Sequence, residues 1–173
     1  MEKRTKLNVL GAAVAASIAA AFGVATTASA GHSNSVLTAT LDGRNEVSAS
    51  ATNSRMVGDP NGRGEAYVFG IDGDTKTLCY VLTVSNIGTA TAAHIHEAAA
   101  GSNGPVVVNL AAPADGNAAD CLTEGEAGKF AVSNGVPLAT VQEILASPQD
   151  YYVNVHNAEY PGGAIRGQLA PQS

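Results

Sequence analysis

From about residue 36 onward, apolar and polar positions alternate with a period of two, and Gly, Asn, Asp and Pro interrupt the pattern repeatedly. A period of two puts successive side chains on opposite faces of a strand. The pattern predicts strands at Val36–Leu41, Gly64–Ile71, Thr77–Val84, Thr91–His96 and Val106–Leu110, then at Gly128–Val132, Tyr151–His156 and Ala164–Leu169. Asp72, Gly73 and Asp74 stand between two strongly β-forming runs, a hairpin signal because Asp and Gly tolerate unusual backbone angles. Asp59–Gly64 forms a second turn cluster, and Ala111–Asp120 reads as a longer polar connection. One stretch changes period. Across Pro137–Pro148, Leu138, Val141, Ile144 and Leu145 recur at helical spacing, and Pro148 ends the run. These elements predict an all-β protein, an antiparallel Greek-key β-sandwich or barrel of about eight strands with one short helix.

The first thirty residues break the alternation differently. Lys3, Arg4 and Lys6 precede an Ala-rich apolar run from Val9 to about Val24, and Ala28 and Ala30 follow at small-residue positions. This is the pattern of a signal peptide over residues 1–30, cleaved near Ala30. Residues 31–36 form a flexible lead-in, and one domain covers 37–170. The expected product is secreted or extracytoplasmic, with no membrane span after cleavage. Cleavage would remove Lys3, Arg4, Lys6 and Glu2 and move the formal net charge from −6 to −8. So acidic a chain lacks the basic patches that phosphate binding requires, which argues against nucleic acid as a partner.

An oxidising compartment changes the reading of the two cysteines. Cys79 and Cys121 would form one disulfide there, worth roughly 3–4 kcal/mol by loop entropy. There is no CxxC, so a metal-thiolate site has less support.

Candidate chemistry concentrates in the four histidines. His94 and His96 lie two apart on a strand, so both imidazoles project from one face, about 7 Å apart, while Ile95 points the other way. Two such rings can reach one metal ion, and imidazole suits copper, zinc, iron and nickel. His156 shares a face with Tyr152 and Asn154, opposite Val153 and Val155. Pairing of its strand with the His94 strand would gather three imidazoles. His32 lies in the lead-in and is a weak candidate. A surface or hydrogen-bonded polar pair accounts for an HxH equally well. Glu97 faces away from His96 while the strand is regular. It is either a charged strand end or a carboxylate supporting the histidines after a turn. Arg166 falls on a polar face, where it would pair with a carboxylate or carbonyls or contact an anion near the histidines.

The stretches "AHIHEAAAGSNGPVVVNL" and "YYVNVHNAEYPGGAIRGQL" resemble the CHRD domain, the module named after chordin and also found in bacterial exported proteins. The resemblance spans roughly Leu37 to Leu169. It rests on His94, His96, Gly104-Pro105, His156, Pro161-Gly162-Gly163 and Arg166-Gly167-Gln168. It implies an all-β extracellular module without a defined biochemical role. "HIHE" is also similar to the HxHE strand of copper/zinc superoxide dismutases. That likeness would make His94 and His96 copper ligands and His156 a late one. However, no histidine lies between His96 and His156 to supply the bridging and zinc ligands, and Arg166 follows His156 by only ten residues.

The sequence thus reads as a binding module more than an enzyme. The leading expectation is a copper or zinc site of His94, His96 and His156. The alternatives are a structural or adhesive module, with an extracellular or cell-envelope protein as partner, and a minimal copper oxidoreductase or dismutase-like enzyme.

Overall fold

A computed structural model describes residues 36–49 and 57–172. The signal peptide expected at 1–30, and His32 in the lead-in, lie outside the described residues. Strands run at β1 (Leu37–Asp42), β2 (Arg63–Ile71), β3 (Asp74–Ser85), β4 (Ala90–Glu97), β5 (Val106–Leu110) and β6 (Asn117–Thr123). They continue with β7 (Val132–Ser133), β8 (Val136–Pro137), β9 (Tyr151–Asn157), β10 (Ile165–Gln168) and β11 (Ala170–Pro171). The helix α1 (Val141–Ala146) lies between β8 and β9.

The alternation behaves as period two demands. Leu37, Ala39 and Leu41 of β1, Ala66 and Val68 of β2, and Leu78, Tyr80 and Leu82 of β3 all point into one core. Ile95 of β4, Val153 and Val155 of β9 and Ile165 of β10 join them. Each such aliphatic side chain, fully buried, contributes about 1.5–3 kcal/mol of transfer free energy. The main sheet has the order β5-β4-β9-β10-β1-β2-β3-β6, and β11 adds to β1. Every pairing in it is antiparallel. The outer side of β5 does not stay open. Asn109 N–H donates to the Lys129 carbonyl at 2.8 Å, and Ala131 N–H to the Val107 carbonyl at 2.9 Å. The chain leaving β6 thus returns to β5, and the sheet is nearly closed into a barrel.

The β2–β3 turn follows its signal, with Gly73 at φ 75° and a register shift beside Ile71. Three expectations need correction. Asn117–Asp120, read as loop, is strand. It lies in β6, which pairs with β3 from Thr77↔Thr123 to Thr83↔Asn117. Its residues are small and mostly exposed, so the strand owes its order to its neighbour and carries no apolar stripe. Gly128–Val132 is not one continuous strand. Phe130 makes a single bridge to Val108, and β7 and β8 form a separate hairpin around Asn134 and Gly135, both at positive φ. The helix is shorter than Pro137–Pro148. Thr140 caps it and shares a capping box with Glu143, so Leu138 falls outside it and is exposed. Val141, Ile144 and Leu145 pack onto the core as the periodicity required.

Cys79 and Cys121 are direct cross-strand partners in β3 and β6, with their sulfurs at 2.03 Å. Among the described residues, no helix is long and apolar enough to cross a membrane.

Candidate metal centre

β4 and β9 pair antiparallel, with His96↔Tyr152, His94↔Asn154 and Ala92↔His156 as partners. The inward phase of both strands is mostly apolar, with Ala93 and Ile95 on β4 and Val153 and Val155 on β9. The outward phase therefore carries His94 and His96 from β4 and Tyr152, Asn154 and His156 from β9. The pairing brings the three imidazoles together, as their strand phases allowed. One ring nitrogen of each lies within 4.8 Å of those of the other two.

This outer face is only partly open to solvent. The loop over residues 98–105 and the turn over residues 158–163 fold across it. Tyr152 and Asn154 are buried although they point away from the barrel core. The covering loops also set the protonation of the rings. His96 Nδ1 lies 3.0 Å from the Gly104 carbonyl, and His156 Nδ1 lies 3.1 Å from the Pro161 carbonyl. A carbonyl only accepts, so each Nδ1 carries the proton and each neutral ring keeps a bare Nε2. His156 Nε2 then accepts from His94 Nδ1–H at 3.1 Å. Among the described residues, His96 Nε2 is buried with no hydrogen-bond partner. Such an orphan costs about 1–3 kcal/mol unless something occupies it.

The electrostatics favour the neutral, ligating form. The His94 pKa is pushed down to about 4, first by burial and then by the neighbouring His156 and His96. Burial likewise lowers His96 and His156, against the opposing pull of the Gly104 and Pro161 carbonyls. At neutral pH the cluster presents uncharged imidazoles with lone pairs.

Around the triad the structure assembles a polar layer that extends to β10. The Tyr152 ring stacks on His96 at 4.8 Å between centroids and nearly parallel. Arg166 covers the Tyr152 ring, with its guanidinium carbon 4.1 Å from the centroid. Arg166 is buried and donates to Asn103 Oδ1 and the Ser102 carbonyl, both at 2.8 Å. It therefore acts on the site indirectly, by pinning the loop whose Gly104 carbonyl orients His96. Gln168 Nε2 holds the same loop through the Ala98 carbonyl at 3.0 Å. Gly167 lets β10 approach β1, since a Cβ there would stand 2.3 Å from the Thr40 carbonyl oxygen. Gly104 is equally constrained, with Glu97 O at 1.8 Å from its would-be Cβ. Glu97 itself is exposed. Its backbone fixes the loop, N–H to the Pro105 carbonyl at 3.1 Å.

The sequence reading missed Glu46. This half-buried carboxyl sits against Gly163, whose Cβ would lie 2.5 Å from Glu46 Oε2. Burial raises its pKa to about 7, with Arg166 and a hydrogen bond from the Asn154 side chain opposing. Nothing in the local pattern announces Glu46, because a turn more than a hundred residues away makes the room for it. Tyr152 and Asn154 were legible in phase with His156, but not in their roles.

The residues matched by the family comparison run from 37 to 169, and the family is that of the CHRD domain. The chain belongs to the CHRD-domain family. No curated protein and no solved structure matches the chain. The markers that carried the CHRD resemblance now have physical tasks around the triad. Gly104 and Pro161 supply the orienting carbonyls, Gly163 makes room for Glu46, and Arg166 and Gln168 tie down a covering loop.

Proposed function

We propose that this CHRD-domain protein is an extracytoplasmic binding module that holds a transition-metal ion, copper ahead of zinc, through His94, His96 and His156. The observation that carries the reading is the pair of carbonyl-anchored rings. Gly104 and Pro161 fix the tautomers of His96 and His156 so that each ring carries its lone pair on Nε2; among the described residues that of His96 is buried without a partner, and that of His156 accepts from His94. Metal-bound histidines commonly donate their second N–H to a carbonyl or carboxylate in this way. The donor set is all nitrogen, with neither thiolate nor carboxylate among the three. Imidazole donors suit both ions, and copper(II) outranks zinc in intrinsic affinity.

Metal analysis after loading and desalting, on protein purified without a metal-affinity column, tests this. Wild type should retain about one copper or zinc per chain, and the His94→Ala/His96→Ala variant none. Equal and negligible retention by both would end the metal reading.

A second reading has its own support. The direct His94–His156 hydrogen bond shows that two of the rings can satisfy each other without an ion. In that case the face is a structural or adhesive surface. The metal-free protein would then be as stable as protein given excess copper or zinc, whereas a site selective for the native state raises the unfolding midpoint with ion concentration.

A further inference from the structure

The three rings are not held alike. His96 and His156 each give Nδ1–H to a backbone carbonyl, so while those anchors stand each can ligate only through Nε2. His94 has no such anchor. Among the described residues, the one hydrogen bond of its ring runs from Nδ1 to His156 Nε2, at 3.1 Å. That separation is also the one an ion would impose. Zinc–nitrogen bonds of about 2.0–2.1 Å set two ligand nitrogens about 3.3 Å apart at the tetrahedral angle and about 2.9 Å apart at a right angle. The observed 3.1 Å falls between the two. The His94 plane is turned 63° from that of His156 and 85° from that of His96, so the rings converge edge-on and do not stack. His94 Nδ1 and His156 Nε2 thus already stand as two ligands of one ion would, with a proton between them in its place.

We propose that the triad takes its ion through His94 Nδ1 together with Nε2 of His96 and of His156, and that His94 changes tautomer when the ion enters. The inference rests on the metal reading above and assigns its ligand atoms. On loading, the Nδ1–H bond of His94 breaks, its proton goes to water, and the metal–nitrogen bond forms on the lone pair left behind. A proton from water adds to His94 Nε2, so the ring is neutral before and after and no net proton is released. His94 is half-buried, so water reaches the residue to carry the exchange. His96 and His156 keep Nδ1–H on the Gly104 and Pro161 carbonyls throughout. The missing anchor at His94 is what permits the change. A ring fastened to a carbonyl through Nδ1 must ligate through Nε2. Only the unfastened ring is free to exchange which nitrogen carries the proton. Ligation through three Nε2 atoms would instead require His94 to turn its Nδ1 away from His156.

The test is long-range proton–nitrogen NMR correlation of the imidazoles, which tells a protonated ring nitrogen from a bare one, on isotope-labelled protein without metal and with zinc. Copper(I), kept reduced with ascorbate, serves as the diamagnetic ion if the protein retains copper alone. Without metal, all three rings should be Nδ1–H tautomers. In the loaded protein His94 alone should become the Nε2–H tautomer, while His96 and His156 stay as they were. A filled site in which His94 keeps Nδ1–H would overturn the inference and leave the metal reading intact, as would a metal-free His94 already protonated on Nε2. A protein that retains neither ion after desalting would overturn both, and metal content is measured before any spectrum is recorded.

Discussion

β9 has two buried faces that do different work. Val153 and Val155 look into the barrel, among mostly apolar side chains. Tyr152, Asn154 and His156 look outward into a layer of imidazole, amide, phenol and guanidinium under two loops. The inner face is dry, whereas the outer one is only partly shielded, with His94 and His156 half-buried. On the outer face polar groups are desolvated, and not all of them recover a hydrogen bond. A protein selected only to fold would have little reason to bury His96 Nε2 and Asn154 Oδ1 unpaired. The difference separates residues that hold the barrel together from residues held in position by it.

The comparison can be broken most forcefully on the barrel side. Reducing the Cys79–Cys121 bond, or replacing both residues with serine, should cost roughly 3–4 kcal/mol in denaturant unfolding. The bond joins β3 to β6, neither of which carries a residue of the histidine layer, so metal retained per folded molecule should not change. Ile95→Ala, on the inner face between the two histidines, should cost about 3 kcal/mol by leaving a cavity. His94→Ala, one residue away on the outer face, should shift stability by less than about 1 kcal/mol and lower copper affinity at least a hundredfold, measured by competition with a chelator. A His94→Ala variant with full affinity would merge the two faces into one structural role.

The smallest effects lie in the pH dependence, where two groups of the outer layer run in opposite directions. His94 has a folded pKa near 4, below the ordinary value of 6.5. Its share of stability is present above 6.5 and drains away as pH falls toward 4, because the unfolded chain takes up the proton first. Glu46 runs the other way. Its folded pKa of about 7 lies above the ordinary 4.5, so its share is complete below 4.5 and is lost as pH rises through 7. Glu46→Gln should therefore be relatively more stable than wild type at pH 8 than at pH 5. Chemical denaturation across that range reads the difference. A variant whose stability parallels wild type at every pH would show that the Glu46 carboxyl ionises freely.

The inner face was legible from the chain because alternation is a local signal. Leu37, Ala39 and Leu41, or Val153 and Val155, declare their phase within a few residues. The histidine triad was legible for the same reason, once two strands of the right phase were allowed to pair. Other features depended on distant partners. β6 has no apolar stripe and is a strand because β3 lies beside it. The Glu46 carboxyl under Gly163 joins positions more than a hundred residues apart, while the Gly104 and Pro161 carbonyls lie only eight and five residues from the rings they anchor but depend on loop conformations that carry no periodic signal. The β7–β8 hairpin was a readable signal passed over. Asn134-Gly135 is the dipeptide most suited to a tight two-residue turn, and both residues adopt the positive φ that such a turn needs.

The two carbonyl anchors have a consequence for how the molecule would report an ion. The rings of His96 and His156 are each tied to a different covering loop, so a metal joining them would also fasten those loops to each other across the strands. Loading should slow amide hydrogen exchange around Gly104 and Pro161 together and leave β3 and β6, which carry no residue of the histidine layer, indifferent. Two surface loops with no covalent link would then breathe as a single unit.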